Sequence, residues 1–183
     1  MSTSNQGQQT TQNQQEFFKV TRIITLQASD GPRFEVTEPI VMQMGTVRSL
    51  LEEDDSSASA FGSSITVPLL NVPSTCLVKV IEYCKKHGQF RAKSTPEDQV
   101  KAFDSGLVKD LSDDMIIELL LCANYLDAKE LLDMVEKAIA KRIEDKSLEF
   151  VRKFFGIECD FSPEEEARVR HENKFAFDDI DDD

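Results

Sequence analysis

From Ile23 the chain runs through Ile24 and Leu26 in near alternation, meets the turn cluster Ser29-Asp30-Gly31-Pro32, and alternates again through Phe34 and Val36. That pattern predicts a β-hairpin. Pro39 suits the first turn of a short helix over 40–44, and Thr46 to Leu51 reads as a second that ends in the acidic stretch 52–55. Residues 56–64 are small and polar apart from Phe61 and predict a loop. Ile65 to Leu69 is a short β-rich run whose Pro68 points to a sheet edge. Leu77, Val80, Ile81 and Cys84 recur at helical spacing, with Gly88 as a left-handed stop and a loop over 89–94. Thr95-Pro96-Glu97-Asp98 offers an N-cap, a proline at the first helical position and an acidic first turn.

The stretch 112–126 differs from the others, because Met115, Ile116, Ile117, Leu119, Leu120, Leu121, Cys122 and Ala123 run nearly all round a helix. A helix of that kind is expected to be covered on most sides. Leu132, Val135, Ile139 and Ile143 then form one stripe, and Leu148, Val151 and Phe155 another. Ser162-Pro163-Glu164-Glu165 is a capping box that opens a final helix. The expected organisation is a Gln-rich disordered tail over 1–20, a small sheet covered by helices over 21–145, a helical segment over 146–177, and an acidic tail over 178–183.

Composition narrows the function classes. A formal net charge of -13 opposes nucleic acid and anionic lipid, since both are held through Lys and Arg. No apolar run reaches the roughly 20 residues of a bilayer span, and the first residues lack the basic and apolar regions of a signal peptide. A cytoplasmic and nuclear location is the expectation. Cys76, Cys84, Cys122 and Cys159 contain no CxxC pair; three of them lie on apolar helical faces, and free buried thiols in a reducing compartment are the expectation. His87 and His171 stand far apart without neighbouring ligands, so both are expected at the surface, with no metal and no cofactor. No Ser or Cys has a base and an orienting group in a recognisable motif, which argues against an enzyme.

Several words occur in a fixed order: Leu26-Gln27-Ala28-Ser29-Asp30-Gly31, Val67-Pro68-Leu69-Leu70-Asn71-Val72, Ala123-Asn124-Tyr125-Leu126-Asp127, Leu131-Leu132-Asp133, and Asp160-Phe161-Ser162-Pro163-Glu164-Glu165-Glu166, with Arg170-His171-Glu172-Asn173 near the end. Together they resemble the S-phase kinase-associated protein family, the adaptors that join F-box proteins to cullins in SCF ubiquitin ligases. The resemblance spans residues 22–177 and implies an α+β BTB/POZ fold, a short three-stranded sheet covered by helices, followed by a C-terminal helical F-box-binding extension. It implies F-box contact at Leu132, Val135, Ile139, Ile143, Phe154, Ile157, Val169 and Phe175. Contact with the cullin N-terminal domain would fall on Asn124 and Tyr125. In some family members from protists the proline matching Pro163 is hydroxylated and glycosylated, whereas helix initiation alone explains Pro163 here.

The chain departs from the family pattern at several positions. It has no Trp: Phe103 and Phe175 stand where family members usually carry one. Gly156 replaces a typical Asn, Ala128 a typical Ile, and Glu130 a commonly small residue. These changes bear on which F-box proteins are bound more than on the fold.

From the residues alone, the apolar stripes could equally be core, or a tail folded back on the sheet half. What favours a partner surface is the number of large apolar groups, among them Phe150, Phe154, Phe155, Ile157, Phe161, Phe175 and Phe177, in so short a terminal segment. The expected function is a non-enzymatic bridging adaptor. Other readings are a self-associating BTB scaffold, which would form a homodimer, and an adaptor like elongin C, which lacks the tail after Asp145.

Overall fold

A computed structural model describes residues 22–55 and 65–177. The expectations for the Gln-rich tail, the loop around Phe61 and the acidic C-terminus lie outside these residues. The hairpin forms as read: β1 (Ile23–Ala28) pairs antiparallel with β2 (Arg33–Thr37), Ile24 opposite Val36 and Leu26 opposite Phe34. Gly31 sits in the turn at φ 104°, where a side chain would be strained. β3 (Ile65–Leu69) joins the other side of β1 in parallel, so the order is β2-β1-β3 and Pro68 lies on an edge strand. Ile24, Leu26, Val67 and Leu69 are buried, and Val36 joins them across the hairpin.

Two short helices follow the hairpin, α1 (Glu38–Val41) and α2 (Gly45–Asp55). Next come α3 (Ser74–Lys93), α4 (Glu97–Lys109), α5 (Asp113–Tyr125) and α6 (Lys129–Ile143). The chain ends with α7 (Leu148–Phe155), α8 (Pro163–Glu172) and a 3-10 turn, Lys174–Phe177. The hairpin turn anchors α3 directly. Asp30 accepts hydrogen bonds from the Ser74 backbone N–H at 2.8 Å and from the Ser74 hydroxyl. These bonds hold the Asp30 carboxyl below its usual range, and they supply the cap that Pro73, at the N-cap position, lacks.

Three expectations are corrected. α3 continues past Gly88 for more than a turn and ends at Ser94, which adopts φ 48°. A glycine costs a helix interior about 1 kcal/mol, and tertiary contacts on both sides of it offset that. Gln43 donates to the Cys84 carbonyl at 2.9 Å, and the Phe90 ring meets Phe103 edge-on at 5.6 Å. At the start of α4, Pro96 itself occupies the N-cap in extended backbone, so Thr95 lies outside the helix and no side chain caps it.

His87, expected at the surface, is buried. Its Nε2 is 2.7 Å from Asp104 Oδ1, and its ring stacks on Tyr83 at a centroid distance of 3.9 Å. A single polar residue on an apolar helix face gives no sign of the carboxylate that a later helix brings to it. Phe103, standing for a tryptophan, closes this ring cluster.

One apolar core runs through the sheet and α1–α6 and takes in Phe154 of α7, so it crosses the boundary expected at residue 145. α6 is tied to the α4–α5 junction by Arg142. Its guanidinium donates to the carbonyls of Val108 (2.9 Å) and Leu111 (2.7 Å) and to Asp113 (2.8 Å). Arg142→Met keeps most of the aliphatic stem but strands two carbonyls, and is expected to lower stability by about 2 kcal/mol. Urea unfolding followed by circular dichroism measures this, and an unchanged midpoint would remove the strut from the account.

Candidate protein-docking site

The first candidate surface lies where α5 ends. The Thr46 hydroxyl donates to the Tyr125 carbonyl at 2.8 Å, and the amides of Thr46 and Gly45 donate to the carbonyls of Leu126 and Asp127, both at 3.2 Å. The segment 125–127 thus supplies acceptors to the first turn of α2, whose amides have no partner inside their own helix. Asp127 turns the chain at φ 49°. A Cβ on Gly45 would collide with the Asp127 carboxylate, so glycine is required there. With the backbone held this way, Leu126 is buried, Asn124 is exposed and Tyr125 is half-buried.

The expectation that α5 is covered on most sides holds, with one stripe excepted. Ile116, Leu119, Cys122 and Ala123 are buried, but Leu121 is 61% exposed. Ile117, Leu121 and Tyr125, four residues apart, form a stripe that the core leaves partly open.

The second candidate surface is the tail. Of the eight positions implied for F-box contact, Val135, Ile139 and Phe154 are buried in the core. The reason is that α6 packs along α5 with Leu131, Val135 and Ile139 inward, and α7 folds back onto α5 through Phe154. Leu132 and Ile143 are half-buried, while Ile157 is 58% and Phe175 79% exposed, with Val169 also outward. Phe155, the last residue of α7, and Phe161 are exposed as well, and Phe161 lies outside a regular helix, which left it no periodic signal.

Local chemistry accounts for the shape of this tail. Ser147 caps α7, accepting from the Phe150 N–H at 3.1 Å. α7 closes at Gly156 with φ 65°, and the Ile157 N–H returns to the Arg152 carbonyl at 2.8 Å. Gly and Asn both adopt that left-handed conformation readily, so Gly156 preserves the turn that the typical Asn would make. The capping box at α8 is complete: Ser162 Oγ accepts from the Glu165 N–H at 3.3 Å, and Glu165 accepts from the Ser162 N–H at 3.0 Å. Pro163 is exposed at the start of α8, the position that favours proline.

Glu130 pairs with Arg91 at 2.9 Å. Cys76, Cys84 and Cys122 are buried, and burial pushes the Cys84 thiol up to about 12. Cys159 is exposed. Among the described residues no helix is long and apolar enough to cross a membrane, and no three metal-ligating side chains cluster.

Comparison with known proteins matches two segments of the chain. Residues 22–89 match the model described as the Skp1 family, tetramerisation domain, and residues 129–176 that of the Skp1 family, dimerisation domain. SKP1-like protein 11 of Arabidopsis thaliana is 44% identical over 156 residues, covering 85% of this chain and 97% of that protein. SKP1-like protein 12 of the same plant is 42% identical over 156 residues, with the same coverage. SKP1-like protein 20 of Oryza sativa subsp. japonica is 37% identical over 173 residues, covering 85% and 94%. The three-stranded sheet, its helical cover and the helices that follow are those of the α+β BTB/POZ fold, and the chain belongs to the Skp1 family, the adaptors of SCF ubiquitin ligases.

Proposed function

We propose that this chain bridges F-box substrate receptors to the cullin N-terminal domain, in the cytoplasm and nucleus, for ubiquitin-dependent degradation of what the F-box protein carries. The observation that supports this most is the presence of two uncovered apolar surfaces on different elements, Leu121 to Tyr125 on α5 and Ile157 to Phe175 in the tail. Exposed patches of this kind mark interaction sites. Tyr125 offers ring area and a hydroxyl beside the polar Asn124, a composition suited to the centre of an interface.

Such an adaptor does no chemistry. It raises the effective concentration of substrate near the ubiquitin-conjugating enzyme. The test is reconstitution with an F-box domain and a cullin N-terminal domain, followed by analytical ultracentrifugation. The expected result is a complex of all three. Tyr125→Lys is expected to weaken cullin binding by about tenfold or more while sparing the F-box, and equal loss of both would overturn the two-surface assignment. The family models' descriptions, dimerisation and tetramerisation domain, favour a second reading, a self-associating scaffold. That reading requires the chain alone to sediment as an oligomer and to bind no cullin.

A further inference from the structure

α8 buries no apolar side chain, yet side chains link it to α7. What joins the two helices is charge. Arg152 of α7 donates to Glu166 of α8 at 2.7 Å, and Arg170 of α8 donates to Glu149 of α7. Arg170 also reaches Glu166, at 3.5 Å. Glu149 and Arg152 are three residues apart on one helix, and Glu166 and Arg170 four apart on the other, so each pair occupies one face. The earlier residue of α7 meets the later residue of α8, and the reverse, which fixes the helices antiparallel. Arg152 and Glu166 are also the more sheltered members, at 18% and 28% side-chain exposure, so solvent screens that contact less than the outer one. The Glu166 carboxyl is held below its usual range, first by the Arg152 hydrogen bond.

We propose that Glu149, Arg152, Glu166 and Arg170 form an electrostatic clasp that sets the register of α8 on α7. The clasp positions Val169, and through the following turn Phe175, relative to Ile157, before any partner arrives. The capping box starts α8 and keeps it helical, but nothing in a cap selects what the helix lies against. The sign alternation does: Glu-Arg facing Glu-Arg in antiparallel order has one register in which both contacts are favourable, and a slip by one turn sets like charges together. The four residues are positioning residues in the partner site. An apolar surface arranged in advance spares the partner the cost of ordering it.

The inference rests on the tail being the F-box surface, and the experiment separates the two claims. Three full-length variants are made: the α7 pair reversed (Glu149→Arg with Arg152→Glu), the α8 pair reversed (Glu166→Arg with Arg170→Glu), and all four together. Each leaves the net charge unchanged, so long-range attraction to a partner is the same throughout. Binding of a purified F-box domain is measured by calorimetry, and hydrogen exchange of α8 amides in the free chain gives a readout that needs no partner. Exposed ion-pair networks of this size correspond to affinity changes of about three- to tenfold. Either half-reversal is expected to weaken binding by that factor and to speed α8 exchange, and reversal of all four to restore both. Binding and exchange unchanged in the half-reversals, or no recovery in the fourfold variant, would overturn the clasp. Failure of the unaltered chain to bind any F-box domain would overturn the functional reading instead, and exchange in the half-reversals would still decide whether the clasp sets α8.

Discussion

Leu119→Ala is expected to lower the stability of the chain by about 2–5 kcal/mol. Leu119 is 0% exposed at the middle of α5, the helix that packs against α3 and α6. Removing its terminal carbons loses their transfer energy and opens a cavity between three helices that cannot all close in at once. Leu121, two residues on, is the internal control. At 61% exposure it has little contact to lose, and Leu121→Ala is expected to change stability by less than about 0.5 kcal/mol. In a chain of this size each kcal/mol moves the thermal midpoint by roughly 2–4 °C, so circular dichroism melting separates the two substitutions. Equal effects would mean that α5 is covered on both sides, and the docking surface at its end would have no basis.

Ile157→Asp combined with Phe175→Asp is expected to weaken binding of an F-box domain by about a hundredfold or more, since a central apolar anchor is worth 2 kcal/mol or more. The thermal midpoint should not move, because both side chains already lie in water. Phe154→Ala is the opposite case: the ring is buried against α5, and its loss should lower the midpoint first. Calorimetry and melting on the same preparations test the division. A double aspartate variant that melts earlier would place these residues inside the fold, and one that binds normally would remove the tail from the F-box surface. Phe175 stands where the family usually has tryptophan, and its ring supplies less area and no N–H donor. An F-box that depends on an indole hydrogen bond should therefore bind this chain more weakly than its relatives.

Local grammar is what the residues spelled out unaided. The hairpin around Gly31, the apolar spacing of Leu77, Val80, Ile81 and Cys84 on α3 and the capping box at Ser162 each need a few neighbouring residues, and each formed where it was read. The family words added the order of the elements. Sequence left undecided which apolar faces find cover. Val135, Ile139 and Phe154 look like Ile157 and Phe175 along the chain, yet the first three are enclosed and the last two are not. A stripe states that a helix has a face to bury, whereas what buries it depends on residues far away in sequence, and among the described residues α5 covers α6 and α7 while Ile157 and Phe175 stay exposed.

The same distance in sequence hid the buried His87, whose partner Asp104 arrives on another helix, and the passage of α3 through Gly88, which contacts from Gln43 and Phe103 offset. It hid Arg142 as well, whose carbonyl partners at Val108 and Leu111 lie about thirty residues earlier in the chain. Short-range rules set the elements because their energies come from neighbours within a turn or two. Which apolar faces stay open, and so which surfaces are candidates for docking, came from tertiary packing, because an open face is defined by what fails to reach it.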